Sequence, residues 1–182
     1  MKRALTTVTL AVALTAAGQA QAAQKIYSYV PADAATRARI DSGLTFVFDK
    51  GLVGMRVKEI LATEAKARAG LIPVGDKELG APLRSILPEG AGERDLYEVA
   101  AEDQGPAMVR AFCPGSTKGW LVFGALRARR GLVVHAIGND PQDGKPRLCA
   151  TLRFEFRGEW AIPLRGAGSG VPVSQDPMRP RF

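Results

Sequence analysis

Apolar and polar residues alternate along short runs of the chain, and turn residues separate one run from the next. In the C-terminal half these runs are residues 95–102, 107–113, 119–127, 131–138 and 146–160. A period of two residues is typical of strands with one buried face. The short connections, rich in Gly, Pro and Asp, favour antiparallel neighbours. We therefore predict five strands arranged as a meander.

The last of these runs shows the alternation most clearly and assigns its cysteine to a face. Neighbouring side chains of a strand point to opposite sides of the sheet. The predicted apolar face comprises Leu148, Ala150, Leu152, Phe154 and Phe156. Cys149 falls on the opposite face.

The N-terminal half is predicted to mix strands with short helices. Residues 25–30 and 43–48 are rich in β-branched and aromatic residues, which favour strands. Residues 31–41 contain helix-forming alanines, and Asp33 is placed to cap a short helix. Residues 79–87 indicate a helical turn on the surface, with a proline near its start.

Residues 54–75 are compatible with either a helix or a strand. The composition of residues 57–69 favours a helix. The turn at residues 49–51 instead favours a hairpin with the strand before it. We predict a strand, with a helix at 57–69 as the alternative.

Length and composition are those of one packed domain. The chain has 182 residues, of which 46% are hydrophobic and 24% charged, so it can bury a core and is not globally disordered. Together with the strand pattern, this predicts a mainly β fold. We expect an antiparallel β-meander that forms a sandwich or a partly open barrel, with one or two short helices.

Residues 1–22 have the features of a secretory signal peptide. A positively charged start precedes an apolar stretch, and Ala20 and Ala22 form an A-x-A cleavage pattern. No cysteine follows at the cleavage point, so we expect no lipid anchor. No later segment is apolar over a length that would span a membrane, so we predict that the mature chain does not cross one.

These features predict a soluble periplasmic or secreted protein with one globular domain. We place the β-rich domain at residues 23–165. The Gly-, Pro- and Ser-rich segment 166–182 is predicted to be an unordered tail.

The charge of the chain is modestly basic. Loss of residues 1–22 removes Lys2 and Arg3 and lowers the net charge from +7 to +5. A scattered excess of this size favours contact with anionic surfaces, but an exported protein seldom meets nucleic acid. We therefore predict no nucleic-acid partner.

Three arginines cluster at the tip of a predicted hairpin: Arg127, Arg129 and Arg130. The planar guanidinium fork matches phosphate and similar anionic groups. We therefore regard these residues as a candidate anion-binding site for an envelope component. The alternative is a hairpin loop whose charges serve only solubility.

The two cysteines, Cys113 and Cys149, are predicted to form a disulfide. Both lie in the mature chain, and an even number of cysteines in an oxidising compartment favours pairing. Closing the intervening loop would stabilise the fold by roughly 4 kcal/mol in the chain-entropy model.

A competing hypothesis makes Cys113 a nucleophile and His135, the single histidine, its base. Asp95 or Asp140 would then orient the imidazole. This thiol-dependent hydrolase requires a free thiol, so it conflicts with the disulfide.

No other segment carries a catalytic or cofactor motif. Residues 115–119 lack the spacing of a phosphate loop, and residues 139–144 lack the distal Glu of a calcium loop. We predict no cofactor and no metal site. The favoured function is a non-enzymatic binding domain whose partner is an envelope component or another periplasmic protein. The alternatives are the thiol-dependent hydrolase and a carrier of a small apolar ligand.

Overall fold

The computed structural model describes most of the predicted domain. The described residues are 24–51, 54–62, 67–124, 126 and 130–162. The predicted signal peptide and the predicted tail lie outside these residues, as do Arg127 and Arg129.

Eight strands form a closed barrel in which each strand pairs with the next in the chain. They are β1 (Gln24–Pro31), β2 (Leu44–Gly51), β3 (Gly54–Ala62), β4 (Ala67–Pro73), β5 (Asp95–Val99), β6 (Gly119–Phe123), β7 (Leu132–Asn139) and β8 (Pro146–Ile162). All neighbours are antiparallel, and β8 returns to pair with β1. The predicted mainly β meander is confirmed. The sequence left open a sandwich or a partly open barrel; the meander forms a barrel, and this barrel is closed.

Short helices connect some of the strands: α1 (Ala34–Arg37), α2 (Asp76–Leu79), α3 (Gly105–Phe112) and a 3₁₀ turn at Leu83–Ser85. Asp33 is the N-cap of α1, as predicted, and its carboxylate accepts a 2.7 Å hydrogen bond from the backbone N–H of Thr36. The 3₁₀ turn falls within the helical turn predicted at 79–87.

The predicted strand at 107–113 is wrong, because this segment forms helix α3. The buried residues recur at intervals of three and four: Gly105, Met108, Val109 and Phe112. That spacing places them on one helical face. Pro106 occupies the first turn, where its missing N–H costs no hydrogen bond. The alternating segment is too short to distinguish the two-residue period of a strand from the 3.6-residue period of a helix.

The ambiguous segment 54–75 forms strands, as predicted. It contains both β3 and β4, which pair with each other, and β3 also pairs with β2. The four residues between β3 and β4 lie outside the described part of the chain.

Side chains fill the interior of the barrel. Its core is built from aromatic and aliphatic residues of the strands and of α3, including Tyr27, Tyr29, Phe46, Phe48, Phe112, Phe123, Val134 and Phe154. The rings pack directly on one another; Phe46 and Phe123 have centroids 5.3 Å apart, and Tyr97 stacks on Phe123 at 4.7 Å.

A second apolar cluster lies on the outside of the barrel, over β5, β6 and β7. The segment 74–91, which contains α2 and the 3₁₀ turn, covers this wall. Its members are Leu79, Leu83, Leu87, Leu96, Trp120, Val122 and Ile137. This wall is therefore buried on both faces.

Two bulges in β8 change which of its residues face the interior. One lies opposite Ala136 and Ile137, so that Leu148 joins the outer cluster while Leu152 and Phe154 remain in the inner core. The other lies opposite Ser28 and Tyr29 and reverses the face of the residues that follow. The predicted apolar face is therefore correct from Ala150 to Phe156, and wrong for Leu148.

Among the described residues, the helices are all too short to be candidates for crossing a membrane.

Candidate functional site

The two cysteines form the predicted disulfide. Cys113 follows the last residue of α3, and Cys149 lies at the first bulge of β8. Their Cα atoms are 5.2 Å apart. The bond ties the end of α3 to the barrel wall, and it is consistent with an oxidising, extracellular compartment.

The structure does not bring Cys113 and His135 together as nucleophile and base. The sulfur of Cys113 is bonded to Cys149. Both ring nitrogens of His135 have other partners: Nε2 lies 3.0 Å from Oε2 of Glu93, and Nδ1 lies 3.0 Å from Oγ1 of Thr151. The carboxylate beside the imidazole is thus Glu93, and not Asp95 or Asp140 as the hypothesis required.

Glu93, His135 and Thr151 link a carboxylate, an imidazole and a hydroxyl on the outer face of β7 and β8. The same three groups occur in hydrolase triads. Here, however, the side chain of His135 is only 4% exposed. Moreover, β7 and β8 are paired along their length around this point, so their backbone N–H groups are committed to the ladder and do not form an oxyanion hole.

The environment of Glu93 is that of a structural contact, and we call its hydrogen-bonded chain of Glu93, His135 and Thr151 the Glu93 clasp. Burial raises the pKa of its carboxyl group, but hydrogen bonds from His135 and the local backbone, together with the charge interaction with His135, lower it further, so the net pKa is below the usual 4.5. The ionised carboxylate therefore holds the loop before β5 against β7. Glu93 and His135 are 42 residues apart in the sequence, so no local sequence pattern indicates their contact.

Of the predicted anion-binding arginines, Arg130 is exposed, as expected for a hairpin loop. Because Arg127 and Arg129 lie outside the described residues, the cluster stays a prediction.

The two tryptophans have opposite environments. Trp120 is 4% exposed within the outer cluster, whereas Trp160 on β8 is 48% exposed. The second bulge in β8 explains the exposure of Trp160. Without it, Trp160 would share the inward face of Phe154 and Phe156; with it, Glu159 pairs with the buried Tyr27, and Trp160 turns outward beside Ile26.

The surface around Trp160 is a regular patch on three neighbouring strands, β8, β1 and β2, and we call it the Trp160 face. Its residues are Gln24, Ile26, Ser28, Thr45, Val47, Asp49, Gly158 and Trp160. The register makes an apolar row of Trp160, Ile26 and Val47 across the strands. Trp160 is 48% exposed and Ile26 is partly exposed, whereas Val47 is only 8% exposed, so Trp160 and Ile26 form the accessible part of the row. Directly paired residues lie on the same face of a sheet, so this row is continuous.

Hydrogen-bonded polar pairs lie on both sides of the apolar row. On one side, Nε2 of Gln24 donates to Oδ1 of Asp49 at 3.1 Å. On the other, the hydroxyls of Ser28 and Thr45 lie 3.1 Å apart. These residues are partly exposed, so their remaining donors and acceptors are open to a ligand.

The indole of Trp160 rests over Gly158. A Cβ atom placed on Gly158 would lie 2.9 Å from Cη2 of the ring. The glycine thus lets the indole lie along the strand, with its other side toward solvent. A side chain at this position would push the ring away.

Asp49 is the one charged residue among the eight residues of the Trp160 face, and Nζ of Lys58 lies 3.4 Å from it. On the neighbouring strand β3, Glu59 contacts Arg68 at 2.6 Å, and the exposed Arg56 lies opposite Asp49. The charges therefore lie at the β3 edge of the patch, away from Trp160.

In the described part of the chain, no group of three or more His, Cys, Asp or Glu residues is arranged to hold a metal ion. Comparison with protein-family models, with curated proteins and with solved structures found no match.

Proposed function

We propose that this protein is an exported, non-enzymatic binding domain of the cell envelope, and that it contacts its partner through the Trp160 face. The observation that carries the proposal is the half-exposed indole of Trp160 beside Ile26, which itself lies between two polar pairs. Tryptophan is enriched among the few residues that supply most of the binding energy of an interface. The signal-like residues 1–22 and the disulfide support export to the periplasm or beyond.

The barrel architecture favours recognition on the outer wall. The rings of Phe46, Phe123 and their neighbours occupy the interior, which leaves little support for a carrier of an apolar ligand. Closure also pairs every strand on both sides, so a partner cannot add a strand to a free edge. Recognition then depends on outward side chains.

The polar chemistry of the barrel supports a non-enzymatic role. A thiol-dependent hydrolase needs a free Cys113, which is bonded to Cys149. It also needs an accessible base, whereas His135 is enclosed by Glu93 and Thr151.

Co-sedimentation of the purified mature protein with envelope fractions tests the proposal. The fractions are cell-wall sacculi and phospholipid vesicles. A third sample consists of periplasmic proteins immobilised on beads, on which retention of the purified protein is measured. We expect retention on at least one fraction, and loss of retention in Trp160→Ala. Ile72→Ala is the matched control, because Ile72 is 49% exposed on β4, away from the Trp160 face. Equal retention of the wild type and Trp160→Ala on every fraction would refute the proposed role of this face.

A further inference from the structure

We infer that the Trp160 face binds a flat, extended, uncharged glycan of the envelope; this inference rests on the proposed function and names its ligand class. A pyranose ring has apolar C–H faces and a rim of hydroxyl groups. The Trp160 face has the complementary order, an apolar row between two hydrogen-bonding rows. A large aromatic surface such as indole can stack on the C–H face of a sugar.

The polar pairs are suited to the hydroxyl groups of such a ligand. Asp49 and Gln24 together offer a carboxylate and an amide held in fixed relation by their 3.1 Å hydrogen bond. Ser28 and Thr45 offer hydroxyls, which both donate and accept. A sugar lying on Ile26 and Trp160 would meet one pair at each edge.

The dimensions of the patch agree with an extended chain of sugars. The patch crosses β8, β1 and β2, from Trp160 through Ile26 to the polar residues of β2, so it spans two strand spacings, about 10 Å. This is comparable to the length of a disaccharide. The patch lies on the outer surface of the sheet, which fits a ribbon-like polymer better than a folded small molecule.

Charge argues for an uncharged polymer over an anionic lipid surface. Asp49 and the adjacent Glu59 of β3 already have cationic neighbours in Lys58 and Arg68. The exposed Arg56 is in neither pair, but it lies on β3, two strands from Ile26. An anionic headgroup on Ile26 and Trp160 would therefore lie nearer to the carboxylate of Asp49 than to an available cation, and it would gain little attraction.

The experiment is a titration of the mature protein with N-acetylchitohexaose and, separately, with cellohexaose. Calorimetry and tryptophan fluorescence measure the binding. We expect saturable binding of at least one oligosaccharide and a change in Trp160 emission. Trp160→Ala should weaken binding at least about tenfold, as expected for loss of an aromatic anchor. Trp160→Phe should abolish the emission change, because only the buried Trp120 remains. Ile72→Ala should bind as the wild type does.

Gly158→Val provides a second variant that keeps the tryptophan. Its side chain would displace the indole, so we expect weaker binding of the oligosaccharide with an unchanged unfolding midpoint. Unfolding curves of all variants separate loss of binding from loss of fold. Binding by Trp160→Ala with wild-type affinity would overturn the inference.

The two proposals fail in distinguishable ways. If neither oligosaccharide binds, but retention on an envelope fraction still requires Trp160, the glycan class is wrong and the binding function stands. If retention is confined to phospholipid vesicles or to immobilised proteins, the glycan class is likewise wrong. If neither titration nor retention depends on Trp160, both proposals fail.

Discussion

The barrel carries one tryptophan on each of two outer walls, and the two walls differ in what lies above them. Trp120 on β6 is covered by the segment 74–91 and is 4% exposed; Trp160 on β8 is 48% exposed. Both side chains point away from the inner core. Each outward-pointing tryptophan is therefore buried or exposed according to whether another segment covers its strand. The connection after β4 folds back over one wall and covers Trp120, and it does not cover Trp160.

The covered wall and the Trp160 face therefore differ in what their outer sides can do. Burial of both faces of β5, β6 and β7 adds apolar area removed from water, which stabilises the fold. The wall of β8, β1 and β2 contributes its inner face to the core, and its outer face is where we propose that a partner binds. On this proposal, stability and binding should be separable by mutation.

The sharpest test compares the two tryptophans directly. Trp120→Ala should lower the free energy of unfolding by about 3–5 kcal/mol, because it leaves a cavity in the outer cluster. Trp160→Ala should lower it by about 1 kcal/mol or less. Chemical denaturation measures both. Trp120→Phe is the control: it keeps a ring and removes an indole N–H that has no hydrogen-bond partner in the described structure. Equal losses for the two alanine variants would contradict the distinction between the walls.

The disulfide is expected to give the next largest effect, because it fastens the end of α3 to β8, the strand that carries Trp160. Replacing Cys113 and Cys149 together by Ser should lower the free energy of unfolding by about 2–4 kcal/mol. Binding at the Trp160 face should persist below the new unfolding midpoint. A loss of binding in a variant that is still folded would mean that the bond shapes the Trp160 face as well.

The Glu93 clasp on the covered wall should make part of the stability depend on pH. The folded pKa of Glu93 lies below its usual 4.5, so its contribution is present above that pH and is lost as the pH falls through the folded pKa. Glu93→Gln should therefore lower stability by about 1–2 kcal/mol at neutral pH, and the difference from wild type should shrink in acid. Denaturation curves at several pH values check this; a difference that grows on acidification would show that the carboxylate is not stabilised as described.

The smallest effect on folding is expected at the arginine loop. Replacing Arg127, Arg129 and Arg130 by Ser should change the free energy of unfolding by about 0.5 kcal/mol or less. We expect weaker adsorption to anionic vesicles, and no change in oligosaccharide binding, because this loop joins β6 and β7 and not the strands of the Trp160 face. A control variant with Arg37, Arg84 and Arg110 replaced by Ser has the same charge change. Equal adsorption of the two variants would show that net charge, and not the cluster, is responsible.

Most of the strand order could be anticipated from the sequence, because alternation and short connections are local signals. The face of Trp160 could not be anticipated in the same way. Alternation from Phe154 and Phe156 places it inside, and only the bulge opposite Ser28 and Tyr29 reverses that assignment. A bulge depends on pairing with a distant strand, so the sequence pattern of β8 alone does not predict it.

Helix α3 and the Glu93 clasp show two further limits of sequence reasoning. The seven residues 107–113 fit both a period of two and a helical period, and Pro106, which favours a helix start, stands just before them. Glu93, just before β5, meets His135 on β7 because β6 pairs with both β5 and β7, although the two residues are 42 apart in sequence. By contrast, the Cys113–Cys149 bond was predictable without geometry, since two cysteines allow one pairing.

Closure of the barrel has a consequence for how the chain folds. Strand β1 is the first to be synthesised and β8 the last, yet they pair from Gln24 opposite Ile162 to Pro31 opposite Phe154. Pairing over so long a separation raises the contact order, which slows folding relative to a helical domain of this size. Until β8 arrives, β1 and β7 each present an unpaired edge, and such edges can template association with other chains. A fragment that ends before β8 should therefore aggregate where the whole barrel does not.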